Sequence, residues 1–276
     1  MKIFLKTEEE IELMRAANLM VGSTLAEIGK AIKPGVTTRQ LDKIAETYIR
    51  DNGAVPTFKG FPNPCGGEAF PASICTSVND EVVHGLPNDR PLQEGDIVSV
   101  DCGVLLNGWN GDSCYTFSVG EISEEVALLL KTTKEALYRG IEMALPGRRL
   151  GDIGNAVQEH CEAQGYGVVR EFVGHGIGQK MHEDPPVPNY GRPGNGPQIK
   201  SGMCIAIEPM ITMGSPKIYL SDDRWTVRTR DGKPAAHFEH TIAIHQGRED
   251  ILSSFKEIEN NEKYKTHRPP WQNSPQ

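Results

Sequence analysis

The chain has 276 residues, enough to bury a sizeable core as one large domain or two smaller ones. Hydrophobic residues make up 38% and charged residues 24%, an ordinary globular balance. A formal net charge of -8 argues against general nucleic-acid binding, which needs a basic face, without excluding a local basic patch.

Met1-Lys2-Ile3-Phe4-Leu5-Lys6 leads into acidic sequence rather than a long apolar run, so no secretory signal is expected. No window approaches the roughly 20 apolar residues of a membrane-spanning helix. The six cysteines, Cys65, Cys75, Cys102, Cys114, Cys161 and Cys204, are scattered without a CxxC pair. That pattern suits reduced thiols in a cytoplasm better than a disulfide scaffold.

The first predicted element is a helix from about Glu8 to Ala31. Ile11, Met14, Ala17, Val21, Leu25 and Ile28 recur at the spacing of one helix face, and Thr7 with Glu10 forms a capping-box signal. Pro34-Gly35 ends it. A second helix follows from about Thr38 to Asp51, again with a capping box, Thr37 with Gln40. Residues 54–120 read as strands, with Asn107-Gly108 a two-residue hairpin turn.

The order then starts again. Helices are predicted from about Glu124 to Ala144, ending at Pro146-Gly147, and from about Leu150 to Ala163. Strands follow at Val168–Phe172, Met203–Ile207, Trp225–Arg230 and Phe238–Ile244. The two Pro-Gly pairs stand 112 residues apart, and at that offset Leu41 meets Ile153 and Gly53 meets Gly165. This reads as an α+β internal duplication with pseudo-repeats over 8–120 and 124–250. Two independent helical hairpins are the alternative. One catalytic domain is expected over 1–256, with a polar, flexible tail over 257–276.

Asp101 lies inside the apolar run 97–104, where a carboxylate is costly unless paired or metal-bound. If Asn107-Gly108 is the turn, Leu106 faces Trp109 and Gly103 faces Asp112. Asp101 then shares a face with Asp112 as a diagonal neighbour, about 7–8 Å away. His175 sits among glycines in 174–178, Glu208 closes the run 204–207, and Glu239 lies in 238–242. Four carboxylates and one imidazole suit paired manganese, iron(II), cobalt or zinc. Water held between two such ions would ionise near neutral pH and could attack a carbonyl. Taken singly, each residue reads as a turn, edge or salt-bridge position; the set is what points to metal.

These residues, within VDCGV, NGDS, GHGIG, IEPM and FEHT, resemble the ligand set of the type I methionine aminopeptidases. Residues 77–87 and His182-Glu183-Asp184-Pro185-Pro186 resemble that family too, and the likeness spans about residues 5 to 250. It implies the duplicated pita-bread fold, an antiparallel sheet flanked by two helical pairs with pseudo-two-fold symmetry. It also implies two divalent metal ions and removal of initiator methionine from nascent polypeptides, with a small second residue preferred.

By resemblance, Asp101 chelates one metal, Asp112 and Glu239 bridge both, and His175 and Glu208 complete the other. Glu208 is also the general base. His182 stabilises the oxyanion, and His84 contacts the substrate amide or assists proton transfer. Cys75, Phe70, Met181 and Trp225 match positions that line the methionine pocket. The family often has an aromatic residue at Met181, and the segment 58–70 looks longer than in short bacterial members, which leaves the pocket's shape open. His160 reads as a polar helix-face residue, His237, His245 and His267 as surface residues, and His240 as structural.

Cytoplasmic location, proximity to the ribosome and a monomeric state are further expectations, with no membrane and no nucleic-acid substrate. An Xaa-Pro peptidase shares the five ligands but typically carries a large extra N-terminal domain. A type II methionine aminopeptidase carries an insertion not seen between Glu208 and Glu239. A catalytically dead binding module predicts substitutions among the five, and all five are intact. Walker, G-x-S-x-G and H-E-x-x-H motifs are absent.

Overall fold

A computed structural model describes residues 2–64, 66–261 and 264. Its elements, in chain order, are α1 (Glu8–Ala31), α2 (Thr38–Asp51), β1 (Val55–Pro56), β2 (Ile74–Val78), β3 (Glu81–Val83), β4 (Ile97–Leu106) and β5 (Trp109–Ser118). A second helical pair follows, α3 (Glu124–Glu142) and α4 (Leu150–Glu162). Next come β6 (Gly167–Val168), β7 (Gly174–Gly176), β8 (Glu183–Val187), β9 (Cys204–Ile207), β10 (Met210–Thr212), β11 (Ile218–Leu220) and β12 (Val227–Thr229). The last elements are β13 (Ala235–His237), β14 (His240–His245), β15 (Arg248–Ile251) and α5 (Lys256–Asn260).

Both expected capping boxes form: the Thr7 and Thr37 hydroxyls accept the Glu10 and Gln40 amide protons. The apolar stripe of α1 is buried, with Met14, Ala17, Val21, Leu25 and Ile28 all at 0% exposure. Burying each larger side chain of this stripe stabilises the fold by about 1.5–3 kcal/mol. α1 lies across β4 and β5, with α2 beside it, and α3 packs on α4.

The strands among the described residues form four antiparallel sheets. In one, β5 pairs with β4, whose other edge pairs with β1 and β2. The second has the order β15-β14-β9-β7-β8; the others are β13-β10-β6 and β11-β12-β3. The two halves meet where β5 lies against the β13–β14 junction. There Glu239 N–H donates to the Cys114 carbonyl at 2.9 Å, and Ser113 Oγ donates to the Glu239 carbonyl at 2.6 Å.

Four expectations change. The strand expected over Phe238–Ile244 is broken at Phe238-Glu239, because β13 pairs with β10 whereas β14 pairs with β9. The strand expected from Val168 to Phe172 is only Gly167–Val168; Val169 donates once more to Met210, and the chain then leaves the sheet. The proline-rich segment, for which no strand was expected, forms β8, at the end of its sheet, where Pro185 and Pro186 are tolerated on an edge. The polar tail expected from 257 begins as helix α5, since Ile258 and Tyr264 bury against the core and Glu259 forms a buried ion pair with Lys134. The rest of that tail, His267 included, lies outside the described residues, as does Cys65 in the segment 58–70.

Candidate active site

The β4–β5 hairpin has the register the turn demands, Leu106↔Trp109, Gly103↔Asp112 and Asp101↔Cys114. Asn107 and Gly108 have φ of 52° and 81°, the left-handed pair that such a turn requires. Asp101 and Asp112 therefore face the same way, and both line one cavity of about 350 Å³ together with His175, Glu208 and Glu239. The five residues come from both halves of the chain: β4 and β5, then β7, the residue after β9, and the break before β14.

Asp112 is held to 3% exposure against α1. Its N–H donates to the Asn18 side-chain oxygen at 3.2 Å, and Asn18 in turn donates to the Met14 carbonyl. Gly111 makes this approach possible: a Cβ there would come within 2.6 Å of the α1 backbone at Ala17 and Asn18. Asn18 was not singled out in the sequence, where a polar residue on the buried face of α1 was its only signal.

His175 shows what the cluster is built for. Its Nδ1 lies 2.8 Å from the Gly176 carbonyl, which can only accept, so Nδ1 carries the proton. The Nε2 lone pair then faces Asp112 Oδ2 at 3.5 Å and Glu208 Oε1 at 3.7 Å. Three acceptors turned on one another repel unless a cation lies between them. Ligand atoms of Asp112, His175 and Glu239 lie within 4.8 Å of one another. Ligands about 2.0–2.2 Å from a shared ion stand up to about 4.4 Å apart, so slight contraction closes this set on one ion.

Asp101 Oδ1, Asp112 Oδ1 and Glu239 Oε1 are buried without hydrogen-bond partners among the described residues. Such orphaned oxygens are costly in a native fold, and a hard divalent cation satisfies them. Burial first, then mutual repulsion, pushes the Asp101, Glu208 and Glu239 carboxyls well above the usual range. Burial raises Asp112 to about 8, against the Ser113 N–H that favours its anion. Burial also holds His175 at about 4, so its ring is neutral and available as a ligand at physiological pH.

The other expected residues converge on the same cavity. His84 lines it at a φ of 58°, a conformation uncommon outside glycine. Its ring packs edge-on to Phe172 and Trp225, and burial, then the nearby His182, lower its pKa to about 4. His182, just before β8, lies 4.4 Å from the His175 ring and 5.3 Å from Phe61 between ring centroids. Its ring is partly open to solvent, yet crowding and His175 still lower its pKa. Phe70, Cys75 and Trp225 line the wall, with Phe70 edge-on to Trp225 at 5.1 Å. Met181 stands one layer back, 5% exposed and packed with Phe58, which itself faces the cavity.

Two histidines expected at the surface are buried. His237 is 2% exposed, with Nε2 3.7 Å from Glu208 Oε2. The signal available was its two-residue spacing from Glu239. His245 lies between Glu8 and Asp250, at 3.1 and 3.2 Å. His240 is structural as expected, stacked on Phe255 and bonded to Ser253.

Residues 12–246 match the metallopeptidase family M24. The chain is 54% identical to the methionine aminopeptidase of Clostridium acetobutylicum, over 91% of this chain and 98% of that one. The fold is similar to the crystal structure of methionine aminopeptidase from Rickettsia prowazekii, with a TM-score of 0.88, 42% identity, and coverage of 92% of this chain and 100% of that one. Prolidase from Pyrococcus furiosus is more distant: its TM-score is 0.71 at 25% identity, and the match covers 91% of this chain but 65% of the prolidase. The pita-bread fold, the metal-dependent hydrolase chemistry and the relatives agree: the chain belongs to metallopeptidase family M24 and, within it, to the methionine aminopeptidases.

Proposed function

We propose that this chain hydrolyses the first peptide bond of polypeptides that begin with methionine, using Asp101, Asp112, His175, Glu208 and Glu239 to hold two divalent ions. The observation that carries this reading is the His175 lone pair facing buried, unpartnered carboxylates at the floor of an aromatic-walled cavity. Four carboxylates balance the charge of two divalent ions, and metal identity among Mn, Co, Fe(II) and Zn is a matter of supply and geometry. When bound, such a pair acidifies water and polarises a carbonyl.

The chain's own groups do the rest. Asp101 would hold one ion, His175 and Glu208 the other, and Asp112 and Glu239 would be shared by both. Glu208, lining the cavity beside His175, would take the proton of the attacking water. His182, neutral at physiological pH, donates to the carbonyl oxygen as it becomes an oxyanion. His84, held at the cavity wall, contacts the scissile amide nitrogen and assists its protonation as the C–N bond breaks. The thioether of the substrate methionine lies against Cys75, Phe70 and Trp225, soft and aromatic surfaces that suit it, with Met181 supporting the wall through Phe58. A small second residue is preferred, and substrates are nascent chains near the ribosome. The protein acts in the cytoplasm as a monomer; five free, buried cysteines among the described residues suit a reducing compartment.

The test is a peptide assay on metal-stripped protein titrated with Mn, Co, Fe(II) and Zn. Met-Gly-Met-Met should lose its first residue in a metal-dependent way, while an Xaa-Pro peptide and a peptide lacking methionine stay intact. Xaa-Pro cleavage would keep the metal site and overturn the substrate.

A further inference from the structure

We propose that His237 is a positioning residue for Glu208, gripping its outer carboxylate oxygen from the protein side. The inference rests on the reading of Glu208 as cation ligand and general base. The Glu208 carboxylate stands between two imidazoles: His175 Nε2 is 3.7 Å from Oε1 and His237 Nε2 is 3.7 Å from Oε2. His175 lies on the cavity wall, whereas His237 belongs to β13 behind it.

The backbone of His237 is pinned at both polar groups. Its N–H donates to Thr116 Oγ1 at 3.0 Å, and its carbonyl accepts from Thr116 Oγ1 at 2.6 Å and from Cys114 Sγ at 3.5 Å. Its Nε2 is buried without a hydrogen-bond partner among the described residues. An aromatic hydrocarbon would fill this space without that cost, so the nitrogen needs a purpose. The only acidic oxygen within 4 Å of it, among the described residues, is Glu208 Oε2. Closing the gap to hydrogen-bond range takes about half an ångström of carboxylate movement, the kind of shift that closure on a cation produces. With the proton on Nε2, His237 then donates to Oε2.

The main chain of Glu208 is already held, since Asn189 Nδ2 donates to its carbonyl at 2.9 Å. His237 adds the missing restraint on the side chain. Of the two Glu208 oxygens, Oε1 is thereby left for the ion and Oε2 is aimed by the protein. Such outer partners govern both metal affinity and the aim of the reacting group.

The test compares His237→Gln, His237→Asn and His237→Leu. Gln places an amide N–H near the position of Nε2, Asn falls short of it, and Leu offers no donor. Kinetics would be run on the Mn-loaded enzyme with Met-Gly-Met-Met, and Mn binding measured by calorimetry on metal-stripped protein. The Asn and Leu variants should lose about 10- to 100-fold in kcat and in Mn affinity, with KM within about twofold, and the Gln variant should recover most of both.

Near-normal kcat and Mn affinity in the Leu variant would overturn the role. So would equal losses in all three variants that track a common fall in Tm, the mark of a packing role alone. Glu208→Gln separates the two readings. If that variant turns over normally, the reading of Glu208 fails; if it is dead while His237→Leu is active, only this inference fails.

Discussion

Stripping the metal should make the protein less stable as pH rises through neutrality, and reloading it should remove that dependence. The cause is the buried acidic cluster. Asp112 is pushed up to about 8 from an ordinary 3.8, chiefly by burial, and Asp101, Glu208 and Glu239 move the same way. Between those two values the folded state without metal binds more protons than the unfolded chain. Stability therefore falls with increasing pH in that window.

The stability is fully present below about pH 4 and is lost as pH rises towards about 8. For Asp112 alone, moving from pH 5.5 to 8 costs on the order of 3 kcal/mol at about 1.4 kcal/mol per unit. In a chain of this size that corresponds to a fall in Tm of roughly 6–10 °C. The four sites share protons, so their costs do not simply add. The assay is differential scanning fluorimetry from pH 5.5 to 8.5, with chelator and with saturating Mn. A metal-stripped Tm that is flat or rises across this range would refute the account. So would a metal-loaded protein that shows the same slope.

On the proposed reading, replacing Glu208 with Gln would remove a ligand and the base, so kcat should fall by at least about 1,000-fold while circular dichroism shows an intact fold. His182→Ala should lower kcat by about 100- to 1,000-fold with metal content by mass spectrometry unchanged; loss of metal would place His182 among the ligands instead. Gly111→Ala forces a Cβ to within 2.6 Å of the α1 backbone. It should cost about 1–3 kcal/mol in urea unfolding and weaken metal binding through displacement of Asp112.

The helical pairs were legible because their signals are local. Apolar residues three and four apart mark α1 along its length, and the capping boxes at Thr7 and Thr37 mark both starts. The Asn107-Gly108 turn did more. A two-residue turn leaves one register, and one register places Asp101 and Asp112 on the same face. That half of the acidic cluster follows from the strand repeat alone. His175, Glu208 and Glu239 were proposed from their motifs, because nothing local brings β7, Glu208 and Glu239 to β4 and β5.

Short strands were read less well, since partner choice rather than propensity decides where they end. Phe238-Glu239 looks like mid-strand sequence, yet the chain there changes partner from β10 to β9, and Glu239 turns to bond with Cys114. β8 was hidden because its prolines argue against a strand everywhere except at an edge, and edge position is a tertiary fact.

The sequence by itself determined the helices and the hairpin register that puts Asp101 and Asp112 on one face, because each depends on residue type and near neighbours. The tertiary structure alone decided which groups stand behind that set. Asn18 reaches Asp112 across 94 residues of chain, and His237 turns from an expected surface residue into a buried neighbour of Glu208. Burial and orientation at such distances are set by how the two halves pack, which no local pattern in the chain encodes.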